Sequence, residues 1–183
     1  VSPSELNGQR LIGKTLLIVG AGKIGLATAR RALGWNMRLL HVARSRHSEF
    51  EQAPYFSRQV ELDHGLGLAD VVSIHTPLTP ETRHLIDARR LALLKPSAIL
   101  VNTARGAVID EPALVEALSQ GRLFAAGLDV FANEPELAPG LSELPNVFTM
   151  PHLGSSTVED RVWMTEQAVA NLVEGCLVGP AGG

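Results

Sequence analysis

Three ionisable side chains follow hydrophobic runs in this sequence: Arg105 after Ala98–Asn102, Glu134 after Ala126–Val130, and His152 after Asn146–Met150. Their chemistry is complementary. A planar guanidinium holds a carboxylate and a neighbouring carbonyl in fork geometry. A histidine hands a proton to a carbonyl oxygen as its carbon is reduced. A carboxylate beside that histidine raises its pKa and fixes its tautomer. Such a set suits the reduction of a 2-keto acid. Taken singly each residue has a plainer reading: Arg105 as a surface charge, Glu134 as loop decoration, His152 as a cap for the adjacent helix. Their joint placement after three strands favours catalysis.

Reduction needs a hydride donor, and the first part of the chain supplies a place for one. The apolar run Leu16–Val19 reads as a buried parallel strand, and a helix is expected from Ile24 onward. Between them Gly20, Gly22 and Gly25 spell G-x-G-x-x-G. Gly20 allows the tight turn, Gly22 lets a pyrophosphate approach the backbone, and Gly25 lets the helix lie close to the strand. The free N–H groups at the helix start, from Lys23, Ile24 and Gly25, suit phosphate oxygens. A glycine-rich turn without ligand is the alternative, and the strand before and helix after weigh against it.

The remaining chain alternates strand and helix, which predicts an α/β fold: a Rossmann-type, doubly wound, mainly parallel sheet with helices on both faces. Expected strands are Met37–Val42, a weak Val60–Leu62, Asp70–His75, Ala98–Asn102, Ala126–Val130 and Asn146–Met150. Expected helices include a short irregular one within Glu49–Phe56, Ala88–Leu94, one capped by Asp110 and closed by Gly121, and one opened by a Ser156–Glu159 capping box and running to about Leu172. Ligands gather at the carboxyl ends of parallel strands, which places His75, Thr76 and Pro77 beside the same site.

The second strand normally ends in an acid that binds the adenosine ribose hydroxyls. Ala43 occupies that place, followed by Arg44, Ser45 and Arg46. Two guanidiniums and a hydroxyl there match a 2′-phosphate, so NADP is favoured over NAD, which remains possible. A solvated basic loop is the plainer reading of the same residues.

Composition narrows the classes. The net charge of −3, from 16 basic and 19 acidic residues, gives no broad basic surface for nucleic acid. A lone Cys176 excludes an intrachain disulfide framework and fits a reducing, cytoplasmic compartment. The six histidines form no metal-binding motif, so no metal is expected. No apolar run reaches the ~18 residues of a membrane span.

The motifs resemble those of the D-isomer-specific 2-hydroxyacid dehydrogenase family, in its cofactor-binding domain. The matching runs are Leu11–Gly25, His75–Ile86 (H-T-P-L-T-P-E-T-R-H-L-I), Val101–Gly106 (V-N-T-A-R-G), Gly127–Pro135 (G-L-D-V-F-x-x-E-P) and Pro151–Gly154 (P-H-x-G). The separations of Arg105, Glu134 and His152 are those the family shows. The resemblance implies that Arg105 binds substrate, that His152 is the acid/base, and that Glu134 is its partner. It further implies that Asp129 holds the nicotinamide amide with the Thr103 main chain beside it, that Ala104 and Gly154 line the cofactor, and that the protein forms a homodimer. The Arg44-Ser45-Arg46 run resembles the NADPH-using glyoxylate/hydroxypyruvate reductase branch. Residues 1–10 then read as an interdomain lead-in, 11–176 as the dinucleotide domain and 177–183 as a disordered tail, with the separate substrate domain absent. Two alternatives stay open: a nucleotide-sensing module like the C-terminal-binding-protein corepressors, and a cofactor-binding fragment inactive without its substrate domain.

Overall fold

A computed structural model of the protein describes residues 8–177, so the expected lead-in and tail lie largely outside the described residues. The organising element is a seven-stranded, all-parallel sheet of β1 (Thr15–Val19), β2 (Arg38–Val42), β3 (Arg58–Gln59), β4 (Val71–Ile74), β5 (Ile99–Asn102), β6 (Ala125–Leu128) and β7 (Val147–Thr149). Its spatial order is β3-β2-β1-β4-β5-β6-β7. The winding therefore reverses between β1 and β4, where Val19 pairs with both Val42 and Ile74.

β1 shows why a buried parallel strand reads as an unbroken apolar run. Successive side chains point to opposite faces, and both faces are covered. Leu16 and Ile18 join a cluster with Ala29, Ala32, Leu39 and Phe50. Leu17 and Val19 join the larger cluster with Val72, Ile74, Leu100, Leu114 and Leu128. Helix α1 (Lys23–Leu33) closes one face, with Ala29 and Ala32 fully buried.

The helices are set by local chemistry. Gln52, just beyond α2 (Ser48–Glu51), returns a backbone bond to Ser48. Helix α4 is shorter than expected, Ala88–Leu91, with Asp87 accepting from the Arg90 N–H at 2.8 Å. Helix α5 (Glu111–Ser119) starts at Asp110, whose carboxylate accepts from Ala113 N–H at 3.2 Å, and Gly121 beyond its end has a φ of 66°.

Three expectations shift. The third strand is the two-residue Arg58–Gln59, and Leu62 instead opens helix α3 (Leu62–Leu68), which the sequence reading did not anticipate. Two glycines disguised it. A Cβ on Gly65 would stand 2.8 Å from Leu17 and 2.9 Å from Val60, so this glycine marks close helix–strand packing rather than a break. At helix α6 (Val158–Leu177) the capping bond is Asp160 N–H to the Thr157 hydroxyl, 3.0 Å, one residue later than the expected capping box, and the helix outruns Leu172.

The amino-terminal edge of the sheet carries its own ion cluster. Asp70 accepts from Thr15 N–H at 2.9 Å and Lys95 at 3.0 Å, with Lys14 at 3.8 Å. Burial works to raise the Asp70 carboxyl, but these donors hold it below its ordinary value. The chain forms two compact units, dividing between Pro151 and His152. The second holds α6, and among the described residues no helix is long and apolar enough to cross a membrane.

Candidate functional site

The loops at the carboxyl ends of β1, β2, β4, β5 and β6 bring most of the expected residues to one edge. After β1, Gly20 has a φ of 108°, and a Cβ there would lie 2.8 Å from the His75 carbonyl and 2.9 Å from the Thr76 nitrogen. Only glycine lets these two outlets close on each other. Gly25 packs on the Gly20 carbonyl and the Ile18 side chain. Gly22 is different: a Cβ there would meet nothing within 4 Å. It is the N-cap of α1 and makes no side-chain capping bond. The Lys23, Ile24 and Gly25 N–H groups of the first turn follow beside that open space.

The outlet of β2 is the one where the sequence suggests a 2′-phosphate. Gln59 donates to the Ala43 carbonyl at 3.0 Å and ties β3 to this outlet. Arg44, Ser45 and Arg46 are all exposed. Arg46 is engaged: its Nε donates to Glu51 Oε2 at 2.6 Å. Across the site, after β4, the Glu81 carboxyl is held below its usual value by the Thr79 hydroxyl, its own N–H and the charge of Arg44.

At the β4 outlet, His75 Nε2 pairs with the Ser73 hydroxyl at 2.9 Å. Burial pushes the His75 pKa down to about 4, so the ring is neutral at physiological pH. His75 Nδ1 and Thr76 Oγ1 are buried without a hydrogen-bond partner. Pro77 follows, exposed. Buried polar atoms are normally satisfied, so these two orphaned atoms at the β4 outlet, packed against Gly20, suit a bound group that supplies donors and acceptors.

The outlets of β5 and β6 are braced against each other. The buried Asn102 amide shapes the turn, donating to the Arg105 carbonyl and accepting from Ala104 N–H, both at 3.0 Å. Thr103 and Arg105 stand exposed on that turn, and Arg105 donates to the Ala104 carbonyl at 2.6 Å. Gly106 lies directly on the Phe131–Ala132 peptide, with no room for a Cβ. From the other side, Glu111 accepts from Ala132 N–H at 2.7 Å and Glu134 accepts from Phe131 N–H at 3.0 Å. Burial, with the charge of Glu134 added, pushes the Glu111 carboxyl up against the opposing Ala132 N–H. Asp129 is 5% exposed, and its N–H bonds the Asn102 carbonyl at 3.0 Å. Arg105 and Glu134 therefore stand on two turns fastened together. His152, with a φ of 55°, and Gly154 belong to the second unit.

The bracing residues escaped the sequence reading. Glu111 followed a helix cap and looked like an ordinary first-turn acid, and Asn102 looked like the last strand residue. Glu51 and Glu81 carried no local signal.

A model of the NAD-binding domain of the D-isomer specific 2-hydroxyacid dehydrogenases matches residues 1–154. The chain belongs to this family. It is 50% identical over 172 residues to the glyoxylate/hydroxypyruvate reductase B of Pectobacterium atrosepticum, covering 93% of this chain and 53% of that protein. It is 46% identical over 171 residues to the glyoxylate reductase of Thermococcus litoralis, covering 93% and 51%. The crystal structure of a glyoxylate reductase from Paecilomyes thermophila matches with a TM-score of 0.85 at 40% identity, over 90% of this chain and 50% of that one. This member of the D-isomer specific 2-hydroxyacid dehydrogenases spans about half the length of the curated relatives it matches. The family resemblance and the doubly wound parallel fold expected from the sequence both hold, and the domain is NAD(P)-binding.

Proposed function

We propose that the chain is the cofactor-binding part of a reductase that carries hydride from NADPH, in preference to NADH, to a small 2-keto acid of the glyoxylate or hydroxypyruvate type. The observation that carries this reading is the seat of Gly106 on the Phe131–Ala132 peptide, which fastens the arginine turn to the glutamate turn at the edge where the glycine loop opens. Relatives named as glyoxylate and hydroxypyruvate reductases support it, and the corepressor alternative finds no such support.

In this reading the first-turn N–H groups after Gly22 face the pyrophosphate, and His75, Thr76, Pro77, Ala104 and Gly154 line the dinucleotide. Asp129 and the Thr103 main chain take the nicotinamide amide. Arg105 clamps the substrate carboxylate and its neighbouring carbonyl. The bound nicotinamide supplies the hydride, and His152 delivers the proton to the carbonyl oxygen. Glu134 is its partner in this reading. Arg44, Ser45 and Arg46 receive the 2′-phosphate.

The test is oxidation of NADPH and NADH by the full-length protein over a panel of 2-keto acids, with the isolated chain expected to bind cofactor without turnover. In the Glu134→Gln variant turnover of 2-keto acids should fall while NADPH binding stays near that of the parent. A variant that turns over like the parent removes Glu134 from this role. Arg105→Lys keeps the charge but loses the fork, so turnover of 2-keto acids drops sharply. Homodimer assembly through this domain and a cytoplasmic location belong to the same reading. Light scattering that returns only monomer at high concentration counts against the first.

A further inference from the structure

We propose that Glu51 sets the cofactor selectivity of this domain: its carboxylate, bonded to Arg46, offsets the arginine charge and narrows the margin by which a 2′-phosphorylated dinucleotide is held over an unphosphorylated one. The inference rests on the reading that Arg44 and Arg46 receive the 2′-phosphate.

The two partners are held very differently. The Arg46 side chain is 80% exposed, while that of Glu51 is 23% exposed. Glu51 stands on α2, which is nailed to the sheet by Phe50, itself 1% exposed and packed 5.0 Å from the His41 ring. His41 in turn bonds Ser57 at 3.0 Å. The carboxylate thus comes from a fixed platform and the guanidinium swings to meet it, closing at 2.6 Å through Nε. That edge of the guanidinium is occupied, and a phosphate approaching Arg46 meets the remaining terminal N–H groups with the carboxylate behind them. Two anions then share one cation. A dianionic phosphate loses by that sharing, whereas a ribose hydroxyl makes no demand on the charge. Selectivity is a difference of affinities, so a counter-charge acting on one cofactor only compresses it.

Calorimetric titration of the chain with NADPH and with NADH, repeated on Glu51→Gln, is the test. Glutamine keeps an acceptor for the Arg46 Nε–H and removes only the charge. NADPH affinity should rise about three- to tenfold, NADH affinity should stay within about twofold, and the salt dependence of NADPH binding should steepen. Unchanged NADPH affinity overturns the proposal, and weakened affinity overturns it in favour of Glu51 as an orienting group. Arg46→Ala separates the two levels. If it leaves NADPH binding intact, the arginine reading itself fails. If it weakens NADPH while Glu51→Gln changes nothing, only the role of Glu51 fails. In the Glu51→Gln/Arg46→Ala double variant the gain should vanish, and a gain that persists also overturns the proposal.

Discussion

The outlets of β5 and β6 and the outlet of β2 are built on opposite plans. At the first, Gly106 seats on the Phe131–Ala132 peptide, and two glutamates accept the N–H groups of that same peptide region. At the second, the groups of interest are exposed side chains, one of them, Arg46, in an ion pair near water. Backbone seated on backbone and held by a buried acceptor, Glu111, has one geometry, and loss of that acceptor is costly. Exposed ion pairs are worth little and exchange readily. The edge proposed to hold reacting atoms is thus rigid, while the edge proposed to select a cofactor is adjustable. Changes at the first should act on fold and turnover together, and changes at the second on affinity alone.

The largest expected effect comes from Gly106→Ala. Its new methyl meets backbone, which cannot swing away, so the domain should lose about 3 kcal/mol or more. Urea unfolding reads the loss. A variant as stable as the parent would mean the two turns are not fastened, and the contrast drawn above would collapse.

Glu111→Ala should cost less, about 1–2 kcal/mol, because Ala132 N–H loses its acceptor close to solvent. Glu111→Gln keeps an acceptor and should stay near the parent. If both variants behave alike in unfolding, the Glu111–Ala132 bond is not what braces the turn.

At the adjustable edge, replacing Arg44 and Arg46 together by alanine should weaken NADPH by about 1–3 kcal/mol. NADH affinity and the melting temperature should hardly move. A fall in melting temperature comparable with that of Gly106→Ala would show the β2 outlet to be as braced as the other.

A further check concerns His75, which lies between the two regions. Its folded pKa of about 4 lies below the ordinary 6.5, so the unfolded chain takes up the proton first. Its contribution is present above about pH 6.5 and is lost as pH falls from there toward 4. Unfolding measured at neutral pH and near pH 4.5 should show a steeper acid loss in the parent than in His75→Asn. Parallel losses would remove His75 from the account.

What the sequence made legible follows from range. β1, β4 and β5 were readable because strands buried on both faces are mostly apolar, as Leu16–Val19 is throughout and Val71–Ile74 is apart from Ser73. The Asp110 cap was readable because its bond closes within three residues. Helix α3 was hidden, since Gly65 is demanded by Leu17 and Val60 rather than by its own neighbours. The carboxylates hid for the same reason. Glu111 acts on Ala132, far along the chain, and Glu51 becomes meaningful only once Phe50 has fixed its helix against β2. Arg105 and Glu134 could be placed on one edge from the sheet rule, but the glycine contact joining their turns is purely tertiary.

An all-parallel sheet also has a floor. Thr15 and Asp70 lie at the starts of strands, where Lys95 and Lys14 meet Asp70, a full strand length from every outlet discussed above. Charges can therefore be added to or removed from that floor, changing how firmly the strands are held, without touching the loops that carry the candidate site.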